Sequence, residues 1–557
     1  MKRILLISGI VLIAAVGVLV YLHHRKLNDF EPLIKNKLQS LVRNISDSLY
    51  KIEFDSLEAD VLESKLTIWN IRLSPDTITA DRLKRNGQLP ADVFKLGLDK
   101  FVIDGLDIKD FISAKNIDLN IIYFKEPKLE IFHRKKPDTV HDEKLVTAYH
   151  NISQQMNNIS LKELLLQDAH VLHYNLRNDS IYKTTEFKKV NVQLMDILID
   201  SVTQFDTTRF LYAKDANISL VNQEFRTADS LYKIKLDSVV VNASKKSADI
   251  KGINVQPRYS RQAFEKRLSH IKERYEAKCS GMSFSNIDWW SIISSESFTA
   301  DKLVINNSSL QIFLDRRLPP FPGSKVGNYP HQLLMKLKIP VYVKTISVSN
   351  FDLTYEEFNP TSNKPGKITF NDIKGTISNV TNDTTRINAK SSMNIEASGR
   401  LMHKVPIKAA FTFNLNKAKE GAFAVKVHLD ETDGRILNTV AEPLGLFSIE
   451  KGKIKSIGAH INGTNYKGSG TITFLYDDLK ISALKNDGDS LKKRGLISFI
   501  ANSFVLLESN PKKQKVRTET AVYNRNVHMS FFNVIWKTIL IGILKTVGYD
   551  MGIKKLK

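Results

Sequence analysis

One pattern of apolar and polar positions recurs along this chain: apolar, any, apolar, any, small-polar, apolar, any, apolar. It reads Leu66-Thr67-Ile68-Trp69-Asn70-Ile71-Arg72-Leu73 and again Phe101-Val102-Ile103-Asp104-Gly105-Leu106-Asp107-Ile108. Further copies are Val192-Gln193-Leu194-Met195-Asp196-Ile197-Leu198-Ile199, Ile234-Lys235-Leu236-Asp237-Ser238-Val239-Val240-Val241 and Ile346-Ser347-Val348-Ser349-Asn350-Phe351-Asp352-Leu353. A weaker sixth runs from Leu164 to Val171 with Ala169 inside it. Alternation of period two predicts a strand with one buried face. Across the pivot the apolar residues change parity, so a straight strand would send its two halves to opposite faces. One extra residue at Asn70, Gly105, Asp196, Ser238 or Asn350, as a bulge or tight bend, returns both halves to one face. The fold predicted is mainly β: an elongated antiparallel sheet whose strands kink in the same sense and curl around one apolar side. The copies are irregularly spaced, which excludes a fixed-period solenoid.

The ends of the chain follow other rules. Residues 4–22 are 19 consecutive apolar or small residues between Lys2-Arg3 and His23-His24-Arg25-Lys26. That length predicts an uncleaved transmembrane signal anchor over residues 1–26, carried by Ile4, Leu5, Leu6, Ile10, Val11, Leu12, Ile13, Val16, Val18, Leu19, Val20 and Leu22. Residues 27–50 predict an amphipathic helix, with Phe30, Leu33, Ile34, Leu38, Leu41, Val42, Ile45 and Leu49 at three-four spacing. Its stripe suits packing on the end of the sheet or lying on a membrane surface.

Strand signals fill 51–259, with one partly helical interruption near 144–159. Residues 260–297 predict a helical break, with a charged helix over 260–278 followed by Trp289-Trp290, an aromatic pair suited to packing or to a membrane interface. Strands resume over 298–490, with a short helix predicted over 433–446 ahead of Pro443 and Gly445. Residues 491–557 hold 13 Lys and Arg against Glu508, Glu519 and Asp550. Helices are predicted over 491–507 and 528–547. The second is apolar enough to cap the sheet or lie at a membrane interface, with Phe531, Phe532, Trp536, Lys537 and Lys545 as interfacial candidates.

Composition narrows the function. The 557 residues are 42% hydrophobic, enough for a packed core, and carry a net charge of +22. The basic residues alternate with apolar ones through the strands, and no zinc knuckle, aromatic RNA-binding signature or basic zipper is visible, so nucleic acid is not the expected partner. Lysines on exposed strand faces and attraction to anionic headgroups account for the charge. Cys279 is the single cysteine, which excludes an intramolecular disulfide and any multi-cysteine metal site. No phosphate loop, nucleotide fingerprint, nucleophile elbow or zincin helix is present. His170 and His173 stand three apart in a strand-like segment, which points them to opposite faces. Glu356-Glu357 and Asp477-Asp478 are ordinary for strand ends and turns. Neither an enzyme nor a cofactor or metal is expected.

The order of these parts resembles the AsmA-like family of Gram-negative envelope proteins, which belong with the bridge-like lipid-transfer proteins. The resemblance is carried by residues 4–22, by Glu31-Pro32-Leu33-Ile34, and by the motif from Leu66 to Leu73. Near the C-terminus it is carried by Ile454-Lys455-Ser456-Ile457, Asn462-Gly463 and Lys467-Gly468-Ser469-Gly470-Thr471-Ile472-Thr473-Phe474. It implies a single-pass inner-membrane anchor and a long periplasmic β-groove with an apolar floor, on which phospholipids or other acyl lipids slide during outer-membrane biogenesis. About twenty strands at ~4.8 Å would give roughly 100 Å of groove. Candidate floor residues are Leu66, Ile68, Ile71, Leu73, Ile346, Val348, Phe351 and Leu353, which could equally fill a closed core between two sheets. An envelope protein at the far end is a further implied partner. The alternative is a non-enzymatic scaffold or assembly factor for outer-membrane proteins, pairing strand edges with client strands.

Overall fold

The computed structural model describes residues 36, 39–40, 42–43, 46–60, 63–105, 116–134, 157–177, 180–210, 212–487, 490–493 and 507–548. The predicted anchor at residues 4–22 and most of the predicted helix at 27–50 lie outside them. Among the described residues, twenty-three strands form a mixed, mainly antiparallel sheet. The chain folds as two compact units: described residues within 1–225, 236–250 and 287–296 form the first, and those within 226–235, 251–286 and 297–557 the second.

In the first unit, β1 (Tyr50–Glu53) and β2 (Ser56–Asp60) pair with β3 (Lys65–Pro75), and β3 with β4 (Asp92–Asp104). β4 pairs with both β5 (Asn116–Lys125) and β6 (Lys128–Arg134), which lie parallel to β7 (Asn158–Arg177). β7 is antiparallel to β8 (Ser180–Ile199), and β8 to β9 (Ala213–Arg226). The chain then runs through β10 (Tyr232–Asn242) and β11 (Ser247–Pro257), each divided between the two units, and β12 (Arg274–Ile287), which belongs to the second unit apart from Ile287.

The second unit continues with β13 (Phe298–Asp315), parallel to β14 (Val341–Asn359). An antiparallel series comes next: β15 (Lys364–Thr381), β16 (Ser392–Leu401), β17 (Val405–Asn414) and β18 (Phe423–Leu429). β18 and the short β19 (Thr432–Asp433) pair with β20 (Phe447–Gly463). β20 pairs with β21 (Lys467–Asp487), which pairs with β22 (Ser490–Lys493) and β23 (Thr518–Asn524).

The predicted all-antiparallel sheet is thus corrected to a mixed one. A parallel pair needs a crossover of a dozen or more residues. The chain supplies it twice, in residues 135–157 ahead of β7 and residues 316–340 ahead of β14.

Four of the five predicted pivots are left-handed residues. Asn70, Asp196 and Asn350 have φ of 53°, 51° and 52°, Gly105 has 82°, and Asp168 of the weaker copy has 52°. Asn, Asp and Gly tolerate this conformation because they have a short side chain able to bond locally, or none. Ser238 is not left-handed, so its copy shares the sequence pattern without the kink. At Asn70 and Asp196 the ladder keeps its register across the pivot, which makes the feature a bend without an inserted residue. At Asn350 the register with β15 shifts by one and is restored by Leu353, a true bulge. Beside it, Asn307 of β13 is also left-handed at 47°, and the Asn350 side-chain amide donates to Asn307 Oδ1 at 2.7 Å. Neighbouring strands therefore bend together.

The bend does what the parity change requires. Leu66, Ile68, Ile71 and Leu73 are all 5% exposed or less and share one core with Phe101, Ile103, Ile122 and Leu161. Val42, helical in conformation, is buried in the same core, and the chain turns at Ser46–Ser48 before β1, so the predicted helix stops short of residue 50.

Other helix predictions are revised. The charged helix over 260–278 shrinks to Arg261–Glu265, capped by Ser260, and residues from Arg274 onward are strand β12. The alternation Tyr275, Ala277, Cys279 prevails over a narrow helical stripe, because strand pairing satisfies the backbone where one helical turn could bury little. The segment near 144–159 enters β7 at Asn158, with residues 144–156 outside the described set. Ser490–Lys493 is strand rather than helix, and residues 494–506 lie outside the described set. Trp289 packs edge-on against Phe210 with centroids 5.7 Å apart, a packing role. The helix predicted over 528–547 is present at Phe531–Thr546.

Asn350→Gly should leave stability within about 0.5 kcal/mol of wild type, since both residues accept φ near 52°. Asn350→Val should cost about 1–3 kcal/mol by forcing a β-branched residue into that region. Equilibrium denaturation of the two variants checks this difference.

Candidate functional site: a two-faced sheet and its closing helix

In the second unit, strand register lays side chains out in lanes running across the strands. One lane is Leu303, Ile346, Ile377, Ile395, Phe411, Val425, Ile461, Gly470 and Ala521. The next is Ile305, Val348, Gly375, Ala397, Ala409, Val427, Ala459 and Ile472. Beyond the kink, Leu310, Leu353, Phe370, Leu401 and Val405 continue the same face. On the opposite face the matching lane reads Ser347, Thr376, Glu396, Ala410, Lys426, His460, Thr471 and Thr520. The sheet therefore has one apolar and one mainly polar face, as the alternation predicts.

The apolar face is covered unevenly. Val425 and Ile461 are 1% and 2% exposed, while Ile346, Val348, Phe351 and Leu353 are only half-buried. The cover over β18 to β23 is the helix Phe531–Thr546. Its Phe531, Val534, Ile535 and Ile541 pack with Val425, Ala459, Ile461 and Ile472. Two glycines allow this approach: a Cβ on Gly542 would lie 2.5 Å from Ile472 Cβ, and one on Gly468 would lie 2.6 Å from Thr538 Oγ1. Phe531 anchors the helix in an aromatic cluster, with ring centroids 4.8 Å from Tyr329 and 4.9 Å from Phe423.

The proposed floor residues thus split into two sets. Leu66, Ile68, Ile71 and Leu73 are closed core in the first unit, whereas Ile346, Val348, Phe351 and Leu353 line an incompletely covered face in the second. Of the interfacial candidates, Phe531 is core and hence not free to meet a membrane. Phe532 and Trp536 are 60% and 48% exposed, and Lys545 Nζ donates to the Thr520 carbonyl at 2.8 Å. Lys537 is half-buried.

The apolar lanes end in polar side chains that composition and periodicity did not single out. Past Leu353 on the same face come Tyr355 and the buried Glu357. Tyr355 Oη donates to Glu357 Oε2 at 2.5 Å, and Arg316 Nη1 donates to Glu357 Oε1 at 3.0 Å. Burial pushes the Tyr355 phenol up, and the Glu357 charge adds to this. On the polar face, Arg261 forks onto Glu356 at 2.7 and 2.9 Å. Burial and the neighbouring Asp315 push Glu265 up to about 6. Burial would raise Asp315 too, but hydrogen bonds from Arg317 hold it below the usual carboxylate range. The pairing of residues 316 and 357 was legible only as basic and acidic residues near strand ends.

A polar knot ties the loop before β14 to this unit. Arg525 is buried over the Tyr329 ring and donates to the carbonyls of Asn465, Lys325 and Met529. His331 is fully buried, its ring tilted against that of Phe413 with centroids 4.9 Å apart, and neither ring nitrogen has a hydrogen-bond partner.

Among the described residues, no helix is long and apolar enough to cross a membrane, and no group of three His, Cys, Asp or Glu could hold a metal ion. His170 pairs with Glu186 at 2.8 Å, and His173 lies beside the ring of His133. A scan against protein-family models finds no match to this chain, and a search of curated proteins finds none.

Burial pushes the His331 imidazole down to about 4, against about 6.5 in an unfolded chain. Because the folded state resists the proton, this group costs no stability above pH 6.5. Its penalty grows as pH falls from 6.5 to 4 and reaches about 3 kcal/mol. His331→Phe should flatten that part of the stability profile and also stabilise at neutral pH by about 1 kcal/mol or more, by removing an unpaired buried N–H. Denaturant midpoints for both proteins at pH 7.5 and 4.5 measure this. Gly542→Leu should lift the closing helix and cost about 1–3 kcal/mol, read as faster proteolysis within residues 531–546.

Proposed function

We propose that this protein is a membrane-anchored, non-enzymatic lipid carrier, in which acyl chains lie on the apolar face of the sheet while headgroups stay in water. The observation that carries this reading is the contrast between the two faces at β13 to β15. Leu353 and Phe370 share one face, Thr354 and Thr369 the other, and the apolar side is only half-covered by protein. An apolar sheet face left partly open to water demands a cover. An acyl chain makes no hydrogen-bond demand on such a surface, so it can cover the lanes in many equivalent positions. In this reading residues 4–22 hold the chain in the inner membrane, the sheet lies in the periplasm, and phospholipids or other acyl lipids move by diffusion. The order of parts shared with the AsmA-like family supports the same assignment and suggests an envelope protein partner at the far end.

Mass spectrometry of lipid co-purifying with the full chain tests the proposal. Several acyl lipids per folded chain are expected. Val348→Asp and Phe351→Asp should lower that number severalfold with little loss of thermal stability, since both positions are half-exposed. A folded, lipid-free wild-type protein would overturn the carrier reading and leave the scaffold alternative.

A further inference from the structure

In the second unit the outer edge of β21 carries a short basic finger. Residues 508–510 run beside β21, with Asn510 joined to Tyr476 by two backbone hydrogen bonds of 2.9 Å. β23 takes up the same edge again at Thr518, opposite Thr473. Between them residues 511–516 leave the edge. The base of this finger is clamped. Asn510 is fully buried; its side-chain amide donates to the carbonyls of Phe474 at 2.6 Å and Arg517 at 2.9 Å, and its Oδ1 accepts from the Arg517 N–H at 2.8 Å. Arg517 in turn donates to the carbonyls of Ser509 at 2.7 Å and of Thr546, at the end of the closing helix, at 3.3 Å.

The tip is built against its own stability. Lys512 and Lys515 exchange both backbone hydrogen bonds across the two-residue turn Lys513-Gln514, whose φ values are positive at 51° and 65°. Asn-Gly meets that geometry with little strain, yet this chain places a long side chain at each position. The turn also sets Lys512 directly opposite Lys515, a like-charge pair that weakens a hairpin. All three lysines are exposed, and among the described residues none of their ammonium groups has an ion-pair or hydrogen-bond partner. Val516 beside them is 50% exposed. Asp477 and Asp478, next to the base on β21, are engaged by Lys455 at 2.6 Å and by Lys451. Lysines that protect a sheet edge stand on the edge strand itself, and β23 has none.

A self-repelling tip on a hydrogen-bonded base gains from a dense anionic surface, which neutralises all three ammonium groups at once. An exposed valine among lysines suits the boundary of a bilayer, where the apolar side chain enters and the ammonium groups stay at headgroup level. The tip has no aromatic side chain on which a nucleic-acid base would stack. We propose that residues 511–516 dock on the anionic headgroups of a bilayer, a membrane contact separate from residues 4–22. This goes beyond the carrier reading and requires no lipid on the sheet.

The experiment holds the full chain in phosphatidylcholine nanodiscs, captured by an amino-terminal tag. It is offered dye-filled vesicles of phosphatidylcholine alone or of an equal mixture with phosphatidylglycerol. Wild type should retain the anionic vesicles about tenfold or more over the neutral ones, and added salt should remove the difference. Lys512→Gln, Lys513→Gln and Lys515→Gln together should lower anionic capture about tenfold or more without lowering the melting temperature. Lys344→Gln, Lys367→Gln and Lys390→Gln together remove the same charge from exposed positions elsewhere in the unit and should change capture less than about twofold. Val516→Ser should weaken it about threefold. Equal falls in the two triple variants assign capture to net charge and overturn the proposal. So does anionic capture that the finger variant leaves intact, or wild type that shows no anionic preference. If that intact capture accompanies lost retention of single-stranded RNA, the finger's partner is nucleic acid instead.

Discussion

The structure depends on a parity constraint. A strand alternates its side chains, so an apolar run that changes parity would put half of its hydrophobic residues in water. One left-handed residue resolves the conflict, and it must be a type that tolerates positive φ. The chain places Asn70, Asp196 and Asn350 at that point, and the apolar residues on either side share a face. Because Asn307 and Asn350 bend side by side and bond to each other, the kink belongs to neighbouring strands together. Without it the lanes of the apolar face would break at mid-strand.

Given such a face, the question becomes what covers it. In the first unit the sheet and adjoining segments bury Leu66, Ile68, Ile71 and Leu73 to 5% exposure or less. In the second unit the helix Phe531–Thr546 covers the last strands, while Ile436 and Leu437, with Ile368 and Phe370, pack on the core of Leu401, Val405 and Ile454. Glycine at 542 and 468 brings helix and sheet into backbone-close contact, and Phe531 fixes the helix among Tyr329, Phe413 and Phe423. The helix is apolar nearly all round, a property of helices buried on every side. Its outward Phe532 and Trp536 nevertheless remain exposed. A deficit of cover thus occurs both on the sheet at β14 and on the outer face of the helix.

Local chemistry was legible in the sequence where one residue type answers one geometric demand. Period-two alternation located the strands, and Asn, Asp or Gly at the pivot located most of the kinks. Ser238 shows the limit: the pattern is there, but its side chain has no special tolerance for positive φ. Parallel pairing was not legible, because it depends on how a long connection returns. The helix at 260–278 failed because Phe264 and Leu268 fit a helical stripe while the segment beyond them found strand partners. Motif logic treats Leu66 and Val348 alike, yet one is core and the other half-exposed. That difference arises from tertiary cover, which no local pattern encodes. The cluster of Arg316, Tyr355 and Glu357 likewise joins residues distant in sequence.

In the proposed carrier, motion along the sheet uses the lanes. Ile346, Ile377, Ile395 and Phe411 are successive neighbours across four strands at a spacing of about 4.8 Å, with no charged residue among them. A hydrocarbon chain moving along this series exchanges one dispersion contact for another and meets no desolvation barrier. The series continues as Val425 and Ile461, but there the inner face of the closing helix already occupies it. On the proposed carrier reading, a lipid meets packed protein before β18, because Ile377, Ile395 and Phe411 already pack against the core that holds Phe531. Passage further requires that the helix give up its contacts with Ile472, or that the lipid leave beside Trp536. The close contacts at Gly542 and Gly468 set the cost of the first route, and the exposed aromatic residues lie on the second.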